Sequence, residues 1–219
     1  GFPAGRNCME RWIGPHEQPT KEKLSIMPPR AEDPQDEPIR NLRDITNGER
    51  VVVVKASGDP RFLHIDTIRG QLELGTDGNT KGHAAAPNAF GVAAVDANDA
   101  YPNPFTSANI VETFSSDGPR RVFYQADGTP ITPGDFLSTG GDVRPKPDIA
   151  AADGVATVTP GFNPFYGTSA AAPHAAAIAS MILSYNPSLT PAQMRGILTN
   201  SALDIEAIGY DINAGAGIV

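Results

Sequence analysis

The sequence predicts an α/β fold, and three features carry that expectation. Residues 51–54 (all valine) and 89–96 are short runs of small and β-branched residues, the composition of strands buried on both faces. Residues 170–183 form a longer alanine-rich apolar stretch that reads as a helix, ended by Asn186-Pro187. Glycine and proline, 22 and 21 of 219 residues, exceed their average shares and supply the turns that alternating strands and helices need.

Composition narrows the classes of partner. The net charge of −8, with no basic stretch, argues against nucleic acid. No apolar run approaches the ~20 residues of a membrane span. Cys8 is the single cysteine, so no internal disulfide is possible. No Cys/His cluster and no calcium loop of regularly spaced acids is present, so no metal site is expected. Residues 1–7 do not read as a signal peptide, and the missing initiator methionine points to an earlier segment removed or not included.

Taken in order, residues 1–50 hold 17 charged residues against five in 151–219, and prolines at 28, 29, 34 and 38 break regular structure. An irregular, exposed segment is expected there, with Trp12 and Ile13 as local anchors. Strands are expected at 51–54, 61–64 and 71–74. Residues 78–83 form a polar turn, followed by the strand at 89–96. Residues 125–143 repeat Gly, Asp and Pro and read as a surface excursion. A short strand is expected over 155–158. Thr190-Pro191-Ala192-Gln193 is a capping box with proline at the first helical position, and Met194, Ile197 and Leu198 share one face of the helix it opens.

The most informative stretch is Gly167-Thr168-Ser169-Ala170-Ala171-Ala172-Pro173-His174. Ser169 stands where the helix should begin, as its N-cap, and Pro173 falls in or just past the first turn, where a missing donor costs little. Seven alanines between 170 and 179 make the helix thin enough for other backbone to pack close, with Ile178, Met181, Ile182 and Leu183 carrying the rest of the packing. His174, five residues after Ser169, lies about 140° around the helix and points elsewhere.

This octet closely resembles the nucleophile motif of the subtilisin-like serine peptidases. Thr113-Phe114-Ser115-Ser116-Asp117-Gly118-Pro119, Lys146-Pro147-Asp148 and the closing residues 214–219 are similar to further family segments. The resemblance covers roughly residues 74–219 and implies the C-terminal half of a catalytic domain, a parallel sheet flanked by helices on both faces. Residues 51–73 resemble the end of a β-rich insertion found in some members. The implied function is serine endopeptidase, hydrolysing protein or peptide substrates through an acyl-enzyme on Ser169, with the Ser169 N–H one oxyanion donor. The loop holding Gly82 and His83 would line the substrate pocket. Similar enzymes are often secreted.

A serine hydroxyl needs a histidine base and an orienting carboxylate. The family's motifs for both are absent, and none of His16, His64, His83 and His174 stands in the required context. Asn79 has the letters of the family's oxyanion asparagine but lies too close before His83. The chain by itself is therefore expected to be catalytically silent. The alternative is a non-catalytic relative in which the same helix is scaffold for a binding surface.

Overall fold

The structure is a computed structural model; it describes residues 75–219 throughout and, before them, the backbone of four short strands. The chain divides into two compact units, residues 1–79 with 121–143 and residues 80–120 with 144–219.

In the first unit, β1 (Cys8–Met9), β2 (Glu22–Ser25), β3 (Asp44–Ile45) and β4 (His64–Thr67) form one sheet in the order β1-β4-β2-β3. β1 runs parallel to β4, while β2 is antiparallel to both β3 and β4. Three of these strands thus fall within the segment expected to be irregular. The strands expected at 51–54 and 71–74, and the anchors Trp12 and Ile13, lie outside the described residues. The excursion 121–143 packs Phe136 against Phe123 and Tyr124, with ring centroids 5.9 and 5.6 Å apart.

The second unit holds the long helix. Its own strands before the helix are β5 (Val92–Asp96) and β8 (Ile149–Asp153), while β6 (Arg120–Val122) and β7 (Asp142–Arg144) fall mostly within the first unit. β6 pairs with β7 where the excursion leaves and rejoins. β5 and β8 pair in parallel, from Val92 opposite Ile149 to Asp96 opposite Asp153. Helix α1 (Thr168–Tyr185) packs on this sheet, and α2 (Pro191–Ser201) follows.

Alternation along the strands decides what each face meets. Ala94, Ile149 and Ala151 pack on Ala171 and Ala175 of α1, with Phe90, Phe114 and Val219 around them. Ala93, Val95 and Ala150 point the other way, onto Ile205, Ala214 and Ile218. That second face is covered by irregular segments, with Phe105 and Val111 added, and not by a helix. The expectation of helices on both faces is corrected there, among the described residues. Residues 217–219 run beside β8: Ala150 N–H donates to the Gly217 carbonyl (2.8 Å) and Val219 N–H to the Ala150 carbonyl (3.1 Å).

Three further expectations change. Residues 155–158 form no strand; Val155 makes a single bridge to Phe165, and Val158 is fully exposed. The small residues of α1 do let the sheet approach, but Met181 (72% exposed) and Leu183 do not carry packing. The packed stripe is Ala171, Ala175, Ile178 and Ile182, spaced three and four apart, and Met181 and Leu183 fall off it. Pro173 is the sixth helical residue, inside the helix, so the Ser169 carbonyl loses its i+4 donor.

The capping box forms as the sequence reads. Gln193 N–H donates to Thr190 Oγ1 (3.3 Å), and Thr190 N–H donates to Gln193 Oε1 (2.9 Å). Leu198 is buried and Met194 half-buried; Ile197 sits at the rim of that face.

Candidate active site

In a parallel α/β sheet the carboxyl ends of the strands are where ligands bind. Here those ends are Asp96 and Asp153, cross-strand partners at the last register position. Both share strand parity with the residues facing α1. The N-terminus of α1 comes to the same place.

Gly167, not Ser169, is the N-cap of α1. Its φ of 122° lies in the left-handed half of backbone space, where only glycine sits without strain. The cap is made by its carbonyl, which accepts from Ala170 N–H (2.8 Å) and Ala171 N–H (3.2 Å). Ser169 becomes the second helical residue, and its side chain is exposed. Neither its hydroxyl nor its N–H makes a hydrogen bond among the described residues. An unengaged N–H and O–H at the positive end of a helix favour developing negative charge.

The approach to Ser169 is held from both strand ends. Asp153 Oδ2 accepts from Gly167 N–H at 2.6 Å. Asp96 Oδ1 accepts from Asn98 N–H (2.8 Å) and from Asn98 Nδ2 (2.9 Å). Asn98 Nδ2 also reaches the Gly154 carbonyl (3.1 Å) and the Tyr166 hydroxyl (3.4 Å). Gly154, at φ 63°, has no room for a Cβ, which would run into the Asp96 carboxylate and the Tyr166 ring. Burial, then the Asp96 carboxylate, pushes Asp153 above the usual carboxylate range, against the Gly167 N–H and His174, which act the other way. Glu112 is also raised, by burial first and then by Asp153, Asp96 and Asp99.

The histidines do not reach Ser169. His174 Nδ1 lies 2.9 Å from the Ala170 carbonyl oxygen one turn back, so that nitrogen carries the proton. Gly82 and His83 open a short 3-10 turn, Gly82–Ala85, and both are exposed. Neither is hydrogen-bonded to Ser169. His64 lies in β4 of the first unit, and His16 is outside the described residues. Asn79 is buried, in the first unit. Among the described residues no group of three or more His, Cys, Asp or Glu side chains is arranged to hold a metal ion. No helix among them is long and apolar enough to cross a membrane.

Sequence reading did not single out Asp153, Asp96 or Glu112. Asp153 carried a signal: an acid closing a wholly apolar strand and followed by glycine.

A small parallel sheet packed against helices places the chain among the α/β proteins. Residues 24–217 match the model of the Subtilase family (Peptidase S8), and the chain belongs to that family, whose members are in general serine peptidases. The match begins well before residue 74, where the resemblance read from motifs starts. Fervidolysin from Fervidobacterium pennivorans is 36% identical over 58 residues, which cover 26% of this chain and 8% of that protein. Among solved structures, sphericase is 28% identical with a TM-score of 0.43, over 66% of this chain and 44% of its own. The crystal structure of fervidolysin, described as a keratinolytic enzyme related to subtilisin, gives 23% identity and a TM-score of 0.36, over 63% and 19%. The chain thus spans less than half the length of each.

Proposed function

We propose that this chain is the C-terminal half of a subtilase catalytic domain and that Ser169 is the nucleophile of a serine endopeptidase. The observation that carries this reading is the family octet seated at the start of α1, with the Ser169 hydroxyl exposed and its N–H unengaged. The hydroxyl attacks the scissile carbonyl, the amine leaves, and water hydrolyses the acyl-enzyme. The Ser169 N–H serves as one donor to the oxyanion. Gly82 and His83 contact the substrate. Proteins or peptides are the substrates, and the chemistry needs no cofactor.

Hydroxyl activation requires a base, and none among the described residues is bonded to Ser169. On this reading the histidine and its carboxylate are supplied by the other half of the catalytic domain. The same observation favours the second reading, a non-catalytic relative.

A fluorophosphonate probe on the intact protein separates the two. Stoichiometric labelling at Ser169, with peptidase activity that Ser169→Ala lowers by roughly 10⁶-fold, is the expected result. A chain that folds, stays unlabelled and shows the same turnover with and without the Ser169 hydroxyl is the scaffold.

A further inference from the structure

We propose that Asp153 is a positioning residue for the Ser169 nucleophile; the inference rests on the reading of Ser169 given above. Asp153 ends β8 on the α1 side of the sheet, and its side chain is wholly buried. One oxygen, Oδ2, receives Gly167 N–H at 2.6 Å. The other, Oδ1, is buried and has no hydrogen-bond partner among the described residues.

A buried carboxyl with an unsatisfied oxygen costs stability. Sites where a sequence departs from the stable choice are where function is expected. What the carboxyl holds fits that expectation. Gly167 is the N-cap of α1, in a backbone conformation that needs support, and it stands two residues before Ser169. The preceding residue, Tyr166, is held from the end of β5 through Asn98 and by the close fit of its ring on Gly154.

The two strand ends thus fix two consecutive residues, and with them the direction in which the helix starts. The direction of the helix start sets where the Ser169 oxygen and N–H lie. A displacement of about 1 Å in a reacting group costs on the order of 10²-fold in rate. Asp153 touches neither substrate nor the reacting hydroxyl; it acts through Gly167.

The test compares wild type, Asp153→Ala and Asp153→Asn in the intact protein, by fluorophosphonate labelling rate at Ser169 and by kcat and KM on a peptide substrate. Asp153→Ala should lower kcat and labelling by roughly 10²-fold with KM little changed. Asp153→Asn, whose amide oxygen can still accept from Gly167 N–H, should recover most of both. Labelling of Asp153→Ala at the wild-type rate overturns the proposal, as does Asp153→Asn as slow as Asp153→Ala. A wild type that never labels overturns the nucleophile reading instead. Amide exchange in the unaltered protein gives a check that needs no variant. The Gly167 amide should be protected while those of Thr168 and Ser169 exchange fast; equal exchange at all three overturns the clamp.

Discussion

Lys146 donates through Nζ to Asp148 Oδ2 at 2.7 Å, and both side chains are buried, 2% and 8% exposed. The same nitrogen donates to the Ala89 carbonyl at 2.6 Å. Gly91 N–H adds a second bond to Asp148 Oδ2, and Arg195 of α2 pairs with Oδ1. Arg195 also reaches the Ala89 carbonyl and lies 4.2 Å from the centre of the Phe90 ring. One carboxylate therefore joins the turn before β5, the entry to β8 and the second helix. Removing both charges from water is costly, and the arrangement holds because every bond around Asp148 is made.

Asp148→Ala should be among the most damaging single changes in this unit. It strands a buried lysine and leaves Gly91 N–H without an acceptor. A loss of about 3–5 kcal/mol is expected, read by chemical denaturation. A loss under about 1 kcal/mol would show that the charges are solvated in the folded protein.

Thr190→Ala tests the capping box separately, because Thr190 is exposed and its contribution is the cap alone. It should cost about 0.5–2 kcal/mol. Thr190→Ser should keep most of the stability, since the accepting oxygen remains. Equal losses for the two variants would place the contribution in the threonine methyl group.

The raised Asp153 carboxyl predicts a pH dependence with a definite sign. The folded state keeps a proton at a pH where the unfolded chain has released it, so folding takes up protons in that window. Stability from this group is present at low pH and is lost as pH rises from the ordinary aspartate value, 3.8, through the raised one. Asp153→Asn stays neutral throughout. It should therefore raise the melting temperature more at pH 7.5 than at pH 4, and Glu112→Gln should act in the same direction through the same cluster. A larger gain at pH 4 than at pH 7.5 would reverse the sign of the shift.

Gly82 has open space around it but a φ of +61°. Gly82→Val should lower stability by about 1–2 kcal/mol, with no clash involved, because a β-branched residue resists that backbone conformation. Gly82→Asn should cost much less, since asparagine tolerates it. Thermal melts of both variants decide the point, and similar losses would mean that the cost is common to any side chain added there and is not set by β-branching.

The sequence made some features legible because their causes are local. The Thr190–Gln193 box closes within one turn, and the run of small and branched residues at 89–96 marks a buried strand by composition alone. The octet marked the start of α1 for a similar reason. What escaped depends on pairs far apart in the chain. Ser169 read as the cap because serine caps helices well, whereas Gly167 reaches a conformation that only glycine adopts without strain. Met181 and Leu183 read as packing residues because they are apolar, but the stripe that meets the sheet runs through Ala171 and Ala175 and passes them by. Asp153 gained its meaning only when β8 ended beside the first turn of α1.

The placement of residues 217–219 beside β8 bears on how the protein is made. The strands come together in space as β5, β8 and then the stretch around Ile218, the order in which they leave the ribosome, each pair separated by a long interval of chain. Until Ile218 is synthesised, a nascent chain holds β8 with one flank unpaired and Ala150 lacking both of the bonds it makes there. Open strand flanks recruit other strands, and long-range pairing is slow. Throughout the interval between synthesis of Asp153 and of Val219 the growing polypeptide thus carries an open flank on β8, and a ribosome stalled within it exposes an aggregation-prone strand.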